Sequence, residues 1–274
     1  MAQSILIIGG DKRQLALADM LRSKGHSVKL QGFHKLGFQD ETIVSPAYIF
    51  LPVPYRNPDG SIKMPYSEKR LTLDDIVSWY PKSIYLLGGY DAAARDAFGG
   101  QVRYVDLMDN EAYQIKNALL TTQAAVCALL QMSETALCDL KCVVVGYGRI
   151  SKFLCRLLKA HRAQVTATAR KESDLALIEA EGMHAVHTKH LSRIVGDADV
   201  IFNTVPYHVF GQEELKMIRA NAVVMELASP PYGMDLKLAQ ELGVSVQVEQ
   251  GLPGRYFPVS AARAMLRVFE SEER

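Results

Sequence analysis

The sequence predicts an α/β protein of two domains, each built on a parallel sheet. Short runs of β-branched residues alternate with amphipathic stretches, a pattern typical of strands joined by helices that cover the sheet. The chain has 274 residues, and at roughly 150 residues per domain this suggests about two domains. Glycine turns stand between a strand and a helix twice, at residues 9–10 and 146–148. We expect a flavodoxin-like or Rossmann-like sheet followed by a nucleotide-binding Rossmann fold.

The first half of the chain carries a complete strand and helix series. Between residues 52 and 70 a stretch rich in proline, tyrosine and charged residues predicts a long surface loop over the strand ends, where α/β folds keep their ligands. The strands are predicted at 4–8, 27–30, 48–51, 83–87 and 102–105, and the helices at 12–24, 73–79 and 91–98.

A second series begins after a connecting helix near residues 110–132. We divide the chain into an N-terminal substrate domain at 1–112, the connecting segment at 113–137 and a Rossmann domain at 138–257. A last helix at 258–272 is expected to pack back on the first domain. The strands of this half are predicted at 142–145, 164–168, 185–186, 200–203, 223–226 and 244–248, with helical periodicity at 260–270.

Composition excludes several classes of protein. Thirty-one basic and thirty acidic residues leave a net charge of +1, without the basic excess of a nucleic-acid-binding protein. No segment approaches the roughly 18 apolar residues of a membrane helix, and the N-terminus has the pattern of a strand, not of a signal peptide. The four cysteines lack metal-ligand spacing, so we expect reduced thiols and no metal. These features predict a cytoplasmic protein.

The clearest motif is the sequence CVVVGYGRIS at residues 142–151. Gly146 permits a tight turn, and Gly148 lets the backbone approach a pyrophosphate at the N-terminus of the helix that includes Arg149 and Ile150. Ser151 replaces the usual third glycine or alanine and is small enough for close packing. The placement between a strand and a helix predicts a dinucleotide site; a plain strand-to-helix turn is the alternative.

The next strand indicates which dinucleotide is bound. It ends in Thr168, followed shortly by Arg170 and Lys171, where an NAD site would normally place Asp or Glu. A guanidinium suits a 2′-phosphate in both geometry and charge, so we predict NADP. Two solvated basic residues that open a helix are the alternative.

Two later strand ends should border the same crevice. Their residues are small, amide-bearing or hydroxylated, which lets backbone approach the dinucleotide. They are Asn203, Thr204, Val205 and Pro206 after one strand, and Ala228 and Ser229 after the next.

The first glycine turn lacks the G-x-G spacing of a dinucleotide site. Gly9 and Gly10 precede Asp11 and Arg13 at the start of a helix, so amide groups and a guanidinium are available for a carboxylate. In the alternative interpretation Asp11 caps the helix and Arg13 lies in solvent.

Several motifs, taken in order, resemble the A subunits of dipicolinate synthase from endospore-forming bacteria. They are GGDKRQL at 9–15, the stretch 117–122, VGYGR at 145–149, NTVP at 203–206, ELAS at 226–229 and GLPG at 251–254. The resemblance covers nearly the whole chain. It implies an architecture similar to D-2-hydroxyacid and alanine dehydrogenases, and oxidation of dihydrodipicolinate, a product of the lysine pathway, to dipicolinate with NADP. It also implies that the partner is a flavoprotein B subunit, in the mother cell of a sporulating bacterium.

The chain departs from that family at two places. The connecting segment lacks the usual Pro, Glu and Gly, which puts a catalytic acid there in doubt. The lysine that often follows GLPG is missing, and Arg255 beside Gly254 is a candidate replacement. With Gly9, Gly10, Asp11 and Arg13, these two residues are the expected substrate-binding residues, and the cations and amides among them are the expected contacts of the carboxylates.

Catalytic residues are harder to identify than binding residues. His208 follows NTVP and is the best placed of the histidines to act as base, although an exposed loop histidine is the alternative. Asp109 lies at the domain junction, and Thr121 is a candidate to pack against the nicotinamide. Two other functions stay open: an NADP-dependent dehydrogenase of a small 2-hydroxy or 2-amino acid, and a non-catalytic protein that binds NADP for a flavoprotein complex. Homo-oligomerisation is compatible with this architecture.

Overall fold

The chain forms two compact units whose division falls inside one long helix. The computed structural model describes residues 2–273. The first unit contains the residues up to Asn117 together with those from Pro253 onward, and the second unit runs from Ala118 to Leu252. The long helix spans Glu111–Met132, so the connecting segment is a continuous helix that contributes residues to both units.

The first unit is built on a five-stranded parallel sheet in the order β2-β1-β3-β4-β5. This is the flavodoxin-like order expected from the sequence. Its strands are β1 Ser4–Ile8, β2 Ser27–Gln31, β3 Tyr48–Phe50, β4 Ile84–Leu87 and β5 Tyr104–Asp106. The helices in this part of the chain are α1 Lys12–Ser23, α2 Leu73–Trp79, α3 Ala92–Phe98 and α4 Glu111–Met132.

Both faces of this sheet are buried. In β1, Ile5 and Ile7 belong to the apolar cluster on one face and Leu6 and Ile8 to the cluster on the other, as the two-residue period of a strand requires. The last helix of the chain packs against the first of these faces. Its Phe269 is fully buried, with its ring 5.0 Å from that of Tyr48 and 5.5 Å from that of Phe50.

The second unit contains a six-stranded parallel sheet in the order β8-β7-β6-β9-β10-β11. This is the Rossmann order, and the predicted fold class is confirmed. Its strands are β6 Lys141–Val145, β7 Gln164–Ala169, β8 His184–His187, β9 Val200–Asn203, β10 Val223–Glu226 and β11 Val246–Val248. The remaining helices are α5 Arg149–Ala160, α6 Glu172–Ala180, α7 Ser192–Val195, α8 Gln212–Met217, α9 Leu236–Glu241, α10 Leu252–Tyr256 and α11 Pro258–Glu272.

The register of this sheet brings the motif residues to one edge. Val145, the last residue of β6, pairs with Thr168 of β7 on one side and with Asn203 of β9 on the other. Asn203 in turn pairs with Glu226, the last residue of β10. The ends of four neighbouring strands therefore lie side by side at the carboxyl edge, where this fold binds its ligands.

The stretch between residues 52 and 70 differs from the surface loop that its composition predicts. Tyr55 and Ile62 are almost fully buried, and Arg56 and Ile62 form an antiparallel bridge. The apolar residues in this stretch are separated by prolines and charged residues, so the composition conceals their contribution to the core. Within residues 2–273 no helix has both the length and the apolarity needed to cross a membrane.

Candidate functional site

The turn between β6 and α5 leaves the N-terminus of the helix open. Gly146 has φ +93°, and a Cβ there would lie 2.6 Å from Cγ2 of Val205, so only glycine fits. Gly148 is the N-cap of α5 and offers no side chain to bond the first amides of the helix, while the space beside its Cα is open. The positive end of a helix with an open approach is suited to a phosphate group.

Hydroxyl groups hold this turn against the neighbouring strands. The Gly146 amide donates to Oγ1 of Thr168 at 3.2 Å. The hydroxyl of Thr204 donates to the carbonyl of Val145 at 2.9 Å, so Ser151 must be the donor in its 2.6 Å bond with Thr204. Ser151 thus adds a hydrogen bond to its small size, and it ties α5 to the loop that follows β9.

A fully buried carboxylate, that of Glu226, joins the loops that follow β9 and β10. The side-chain nitrogen of Asn203 donates to both oxygens of Glu226, at 2.8 and 2.9 Å. The amides of Ala228 and Gly233 donate to them at 2.9 and 3.0 Å. Burial raises the pKa of Glu226 above its ordinary value, and these three donors oppose that rise. These hydrogen bonds to Glu226 fix the conformation of the loops that follow β9 and β10.

Two basic residues directly follow the end of β7. Arg170 and Lys171 are both exposed, and neither side chain has a hydrogen bond or ion pair to another residue in the described range 2–273. Lys171 is the N-cap of α6 and makes no side-chain capping bond. The pair therefore presents uncompensated positive charge at the strand end where a dinucleotide would place its ribose.

The first glycine turn has a different construction, because α1 is closed by its own residues. Asp11 accepts from the amide of Arg13 at 2.9 Å, and Oε1 of Gln14 accepts from the amide of Asp11 at 2.9 Å, which forms a capping box. The amide of Gly10 donates to the carbonyl of Lys63 at 2.8 Å. Backbone amides that would receive a pyrophosphate are already bonded here.

Arg13 is buried, in contrast to the solvent-exposed alternative. Its Nε lies 2.9 Å from Oδ1 of Asp11 and its Nη2 lies 2.8 Å from Oδ2, while Nη2 also donates to the carbonyl of Val53 at 2.9 Å. Burial acts to lower the pKa of Arg13, but the carboxylate of Asp11 raises it overall. A methyl group on Gly254 would collide with that carboxylate, so the GLPG backbone lies directly against the ion pair.

The remaining candidates occupy varied environments within their units. His208 is exposed in the loop after β9, where Pro206 is also exposed. Thr121 is buried in α4, and its neighbour Thr122 donates to the carbonyl of Ile150 at 3.2 Å. Asp109 is exposed in a single helical turn before α4. Arg255 is exposed with its guanidinium carbon 5.6 Å from the centre of the Tyr256 ring.

Three further residues, Glu226, Gln14 and Lys63, belong to these sites although they were not among the predicted site residues. Glu226 has a recognisable signal, because a carboxylate that ends a buried β-branched strand needs hydrogen-bond partners. Gln14 occupies the position at which a capping box places Gln or Glu. The sequence around Lys63 does not indicate its contact with the first glycine turn, because that contact joins residues far apart in the sequence.

Two family models match this chain, one after the other along the sequence. Residues 4–108 match the family described as the N-terminal domain of the dipicolinate synthase A subunit. Residues 110–231 match the NAD binding domain of D-isomer specific 2-hydroxyacid dehydrogenases. The second unit is therefore a nicotinamide-cofactor domain of the dehydrogenase type.

Relatives match over nearly the full length of the chain. The dipicolinate synthase A subunit of Bacillus subtilis (strain 168) is 27% identical over 96% of this chain and 93% of its own length. The crystal structure of the dipicolinate synthase A subunit from Bacillus halodurans superposes with a TM-score of 0.84 at 26% identity, covering 98% of this chain and 97% of that one. The corresponding crystal structure from Bacillus subtilis gives a TM-score of 0.81 at 26% identity, over 99% and 95%. Over nearly its full length, this chain is similar to dipicolinate synthase A subunits.

Proposed function

We propose that this chain oxidises dihydrodipicolinate to dipicolinate, pyridine-2,6-dicarboxylate, with NADP as the hydride acceptor. The observation that carries the proposal is the likeness to dipicolinate synthase A subunits across both units, over 96% of this chain. A cytoplasmic enzyme that works with a flavoprotein B subunit in a sporulating cell is part of the same proposal. The open turn at Gly146 and Gly148 supports the fit of a dinucleotide.

The choice of NADP rests on the charge at the end of β7. A 2′-phosphate brings negative charge to a position where Arg170 and Lys171 have no anionic partner among residues 2–273. A guanidinium can bind a phosphate through two parallel hydrogen bonds. The residues that would hold the rest of the cofactor are Gly146, Gly148, Arg149, Ile150, Thr168, Asn203, Thr204, Val205, Pro206, Ala228 and Ser229.

For this reaction the protein has to orient the substrate ring and remove one proton from it. The chemistry that NADP supplies when bound is acceptance of a hydride from the ring. Aromatisation favours the product, so the protein has to hold the ring, exclude water and take the ring proton. We assign proton removal to His208, an imidazole in the loop after β9, with Asp109 as the second candidate. Thr121 is proposed to orient the nicotinamide.

Substrate carboxylates are assigned to the first glycine turn. The proposed contacts are Gly9, Gly10 and Asp11, then Gly254, whose backbone lies against the Asp11 carboxylate, and Arg255 on the same short helix as Gly254. Because the charge of Arg13 is already paired with that of Asp11, we propose that Arg13 acts mainly by fixing the conformation of the turn.

A turnover assay tests the reaction. NADP and freshly generated dihydrodipicolinate are supplied to the full chain, with and without a flavoprotein B subunit, and NADPH and dipicolinate are measured. Formation of both products is expected. NADPH binding without turnover in either condition would favour a non-catalytic role, to which the absence of a carboxylate at residues 117–124 points. Oxidation of small 2-hydroxy or 2-amino acids instead would indicate a different dehydrogenase.

A charge substitution tests the cofactor. Arg170→Ala is expected to raise the Kd for NADPH roughly 10- to 100-fold, the value of one charge-assisted hydrogen bond, and to change the Kd for NADH less than about 2-fold. Lys216→Ala is the control, because Lys216 is an exposed lysine of α8 in the same unit. Equal losses for both cofactors in Arg170→Ala would overturn the assignment of NADP.

A further inference from the structure

A segment distant in sequence lies across the first glycine turn and carries a lysine. The amide of Lys63 donates to the carbonyl of Tyr55 at 3.0 Å, and its carbonyl accepts from Gly10 at 2.8 Å. A Cβ on Gly9 would lie 2.9 Å from the same carbonyl and 2.5 Å from Cγ of Met64. The backbone of Lys63 is therefore held firmly beside Gly9 and Gly10.

The charge of Lys63 is not matched by any neighbour. Its side chain is half-buried, and the ammonium has neither a hydrogen bond nor an ion pair to any residue from 2 to 273. Burial lowers the pKa of Lys63, and the positive charge of Arg13 lowers it further, while Asp11 acts in the opposite direction. Since Arg13 and Asp11 neutralise each other, the group as a whole carries one uncompensated positive charge.

A second donor in the same turn also lacks an acceptor. Gln14 is fully buried, and its Oε1 is occupied by the amide of Asp11, which fixes the orientation of the side-chain amide. Its Nε2 has no hydrogen-bond partner within the described part of the chain. A Cβ on Gly10 would collide with Cγ, Cδ and Oε1 of Gln14, so this side chain lies against the glycine turn. Buried donors are nearly always paired in native proteins.

We propose that Lys63 receives one carboxylate of a planar dicarboxylate ligand at the first glycine turn, beside the fully buried side-chain amide of Gln14. This inference rests on the proposed function and names the cation that the site needs. Arg13 is then a positioning residue, because its donors hold Asp11 and Val53. Lys63 adds a second cation to the one that Arg255 supplies directly after the GLPG segment.

Binding of the stable product tests the inference on the full-length chain. Dipicolinate and pyridine-2-carboxylate are titrated calorimetrically in the presence of NADPH. Lys63→Met is expected to weaken dipicolinate binding roughly 10- to 100-fold and to remove most of the preference for two carboxylates over one. Lys63→Arg keeps the charge and is expected to restore most of the affinity. NADPH binding should be unchanged in each variant.

Lys82→Met is the matched control. Lys82 is an exposed lysine of the same unit, and it precedes β4, so it lies at the opposite edge of the parallel sheet from Gly9 and Gly10. Its substitution should change dipicolinate affinity less than about 2-fold. Equal dipicolinate affinity in the unsubstituted chain and in Lys63→Met would overturn the role of Lys63 while leaving the proposed reaction intact.

A chemical footprint separates failure of the site from failure of the function. Acylation of Lys63 and Lys82 by acetic anhydride is compared with and without dipicolinate, malonate, oxalate and inorganic sulfate. Protection of Lys63 alone by dipicolinate supports the inference. Protection by another dicarboxylate, with none by dipicolinate, keeps the anion site but contradicts the proposed substrate. Protection by none of these anions refutes the site, and the turnover assay then decides the function independently.

Discussion

Replacement of Glu226 by alanine should destabilise the second unit strongly. The carboxylate is the acceptor for the amides of Ala228 and Gly233, and for the side chain of Asn203, which keeps a 3.0 Å bond to the carbonyl of Val205. Two buried amides therefore lose their acceptor. At about 1–3 kcal/mol for each unpaired donor, the expected loss in the free energy of unfolding is about 2–6 kcal/mol. That is a large share of the roughly 5–15 kcal/mol that stabilises a typical domain.

Glu226→Gln should lower the free energy of unfolding less than Glu226→Ala does. The amide has nearly the same shape but only one acceptor oxygen, so one of the two backbone donors faces an N–H group. We expect a loss of about 1–3 kcal/mol, smaller than that of the alanine variant. Glu213→Gln is the control, because Glu213 is an exposed carboxylate of α8 in the same unit, and its loss should be below about 0.5 kcal/mol.

Urea unfolding followed by two probes measures these losses. Trp79, the single tryptophan, lies in α2, so its fluorescence follows the first unit, while far-ultraviolet circular dichroism follows both. Glu226→Ala should shift the dichroism transition attributable to the second unit and weaken NADPH binding, because the loops after β9 and β10 lose their shared anchor. An unchanged dichroism transition in Glu226→Ala would refute the reasoning from unpaired donors.

Glu226 should make the free energy of unfolding fall as pH rises, whereas a salt-bridged carboxylate makes it increase. Burial raises the pKa of Glu226 in the folded chain above its ordinary value of 4.5, so the native state binds this proton more tightly than the unfolded state. The contribution of Glu226 to stability is thus present at low pH and is lost as pH rises from 4.5 through the raised native value. The difference in the free energy of unfolding between the unsubstituted chain and Glu226→Gln should change with pH over that window and be constant above it.

Two further substitutions test the first unit through the fluorescence of Trp79 in urea. Gly254→Ala places a methyl group against the carboxylate of Asp11 and should cost about 1–3 kcal/mol while NADPH affinity is retained; a neutral effect would show that the ion pair can move. Phe269→Ala empties a fully buried site beside Tyr48 and Phe50 and should cost about 3–5 kcal/mol, whereas a loss below about 1 kcal/mol would contradict the packing of α11.

Local patterns were sufficient to predict most of the fold. The strands over Val200–Asn203 and Val223–Glu226 agree with prediction at both ends, because buried β-branched runs bounded by polar residues leave little ambiguity. The ends of exposed strands were less certain. β5 begins at Tyr104 instead of residue 102, and β11 at Val246 instead of 244, since an edge strand is paired on one side only.

The two glycine turns show why spacing alone does not separate a dinucleotide site from a site for a smaller anion. Both turns join a buried strand to a helix of twelve residues. The difference lies in which groups already occupy the helix N-terminus. At α5 the N-cap is a glycine without a capping side chain, whereas at α1 Asp11 and Gln14 close the helix and Lys63 occupies the amide of Gly10. The capping residues can be read from the sequence, because Asp followed three residues later by Gln forms a capping box. The contact of Lys63 cannot, since it depends on how residues 52–70 fold across the sheet. A pyrophosphate needs free amides at a helix N-terminus, which α5 offers and α1 does not, so we propose different ligands for the two strand-turn-helix elements of this chain.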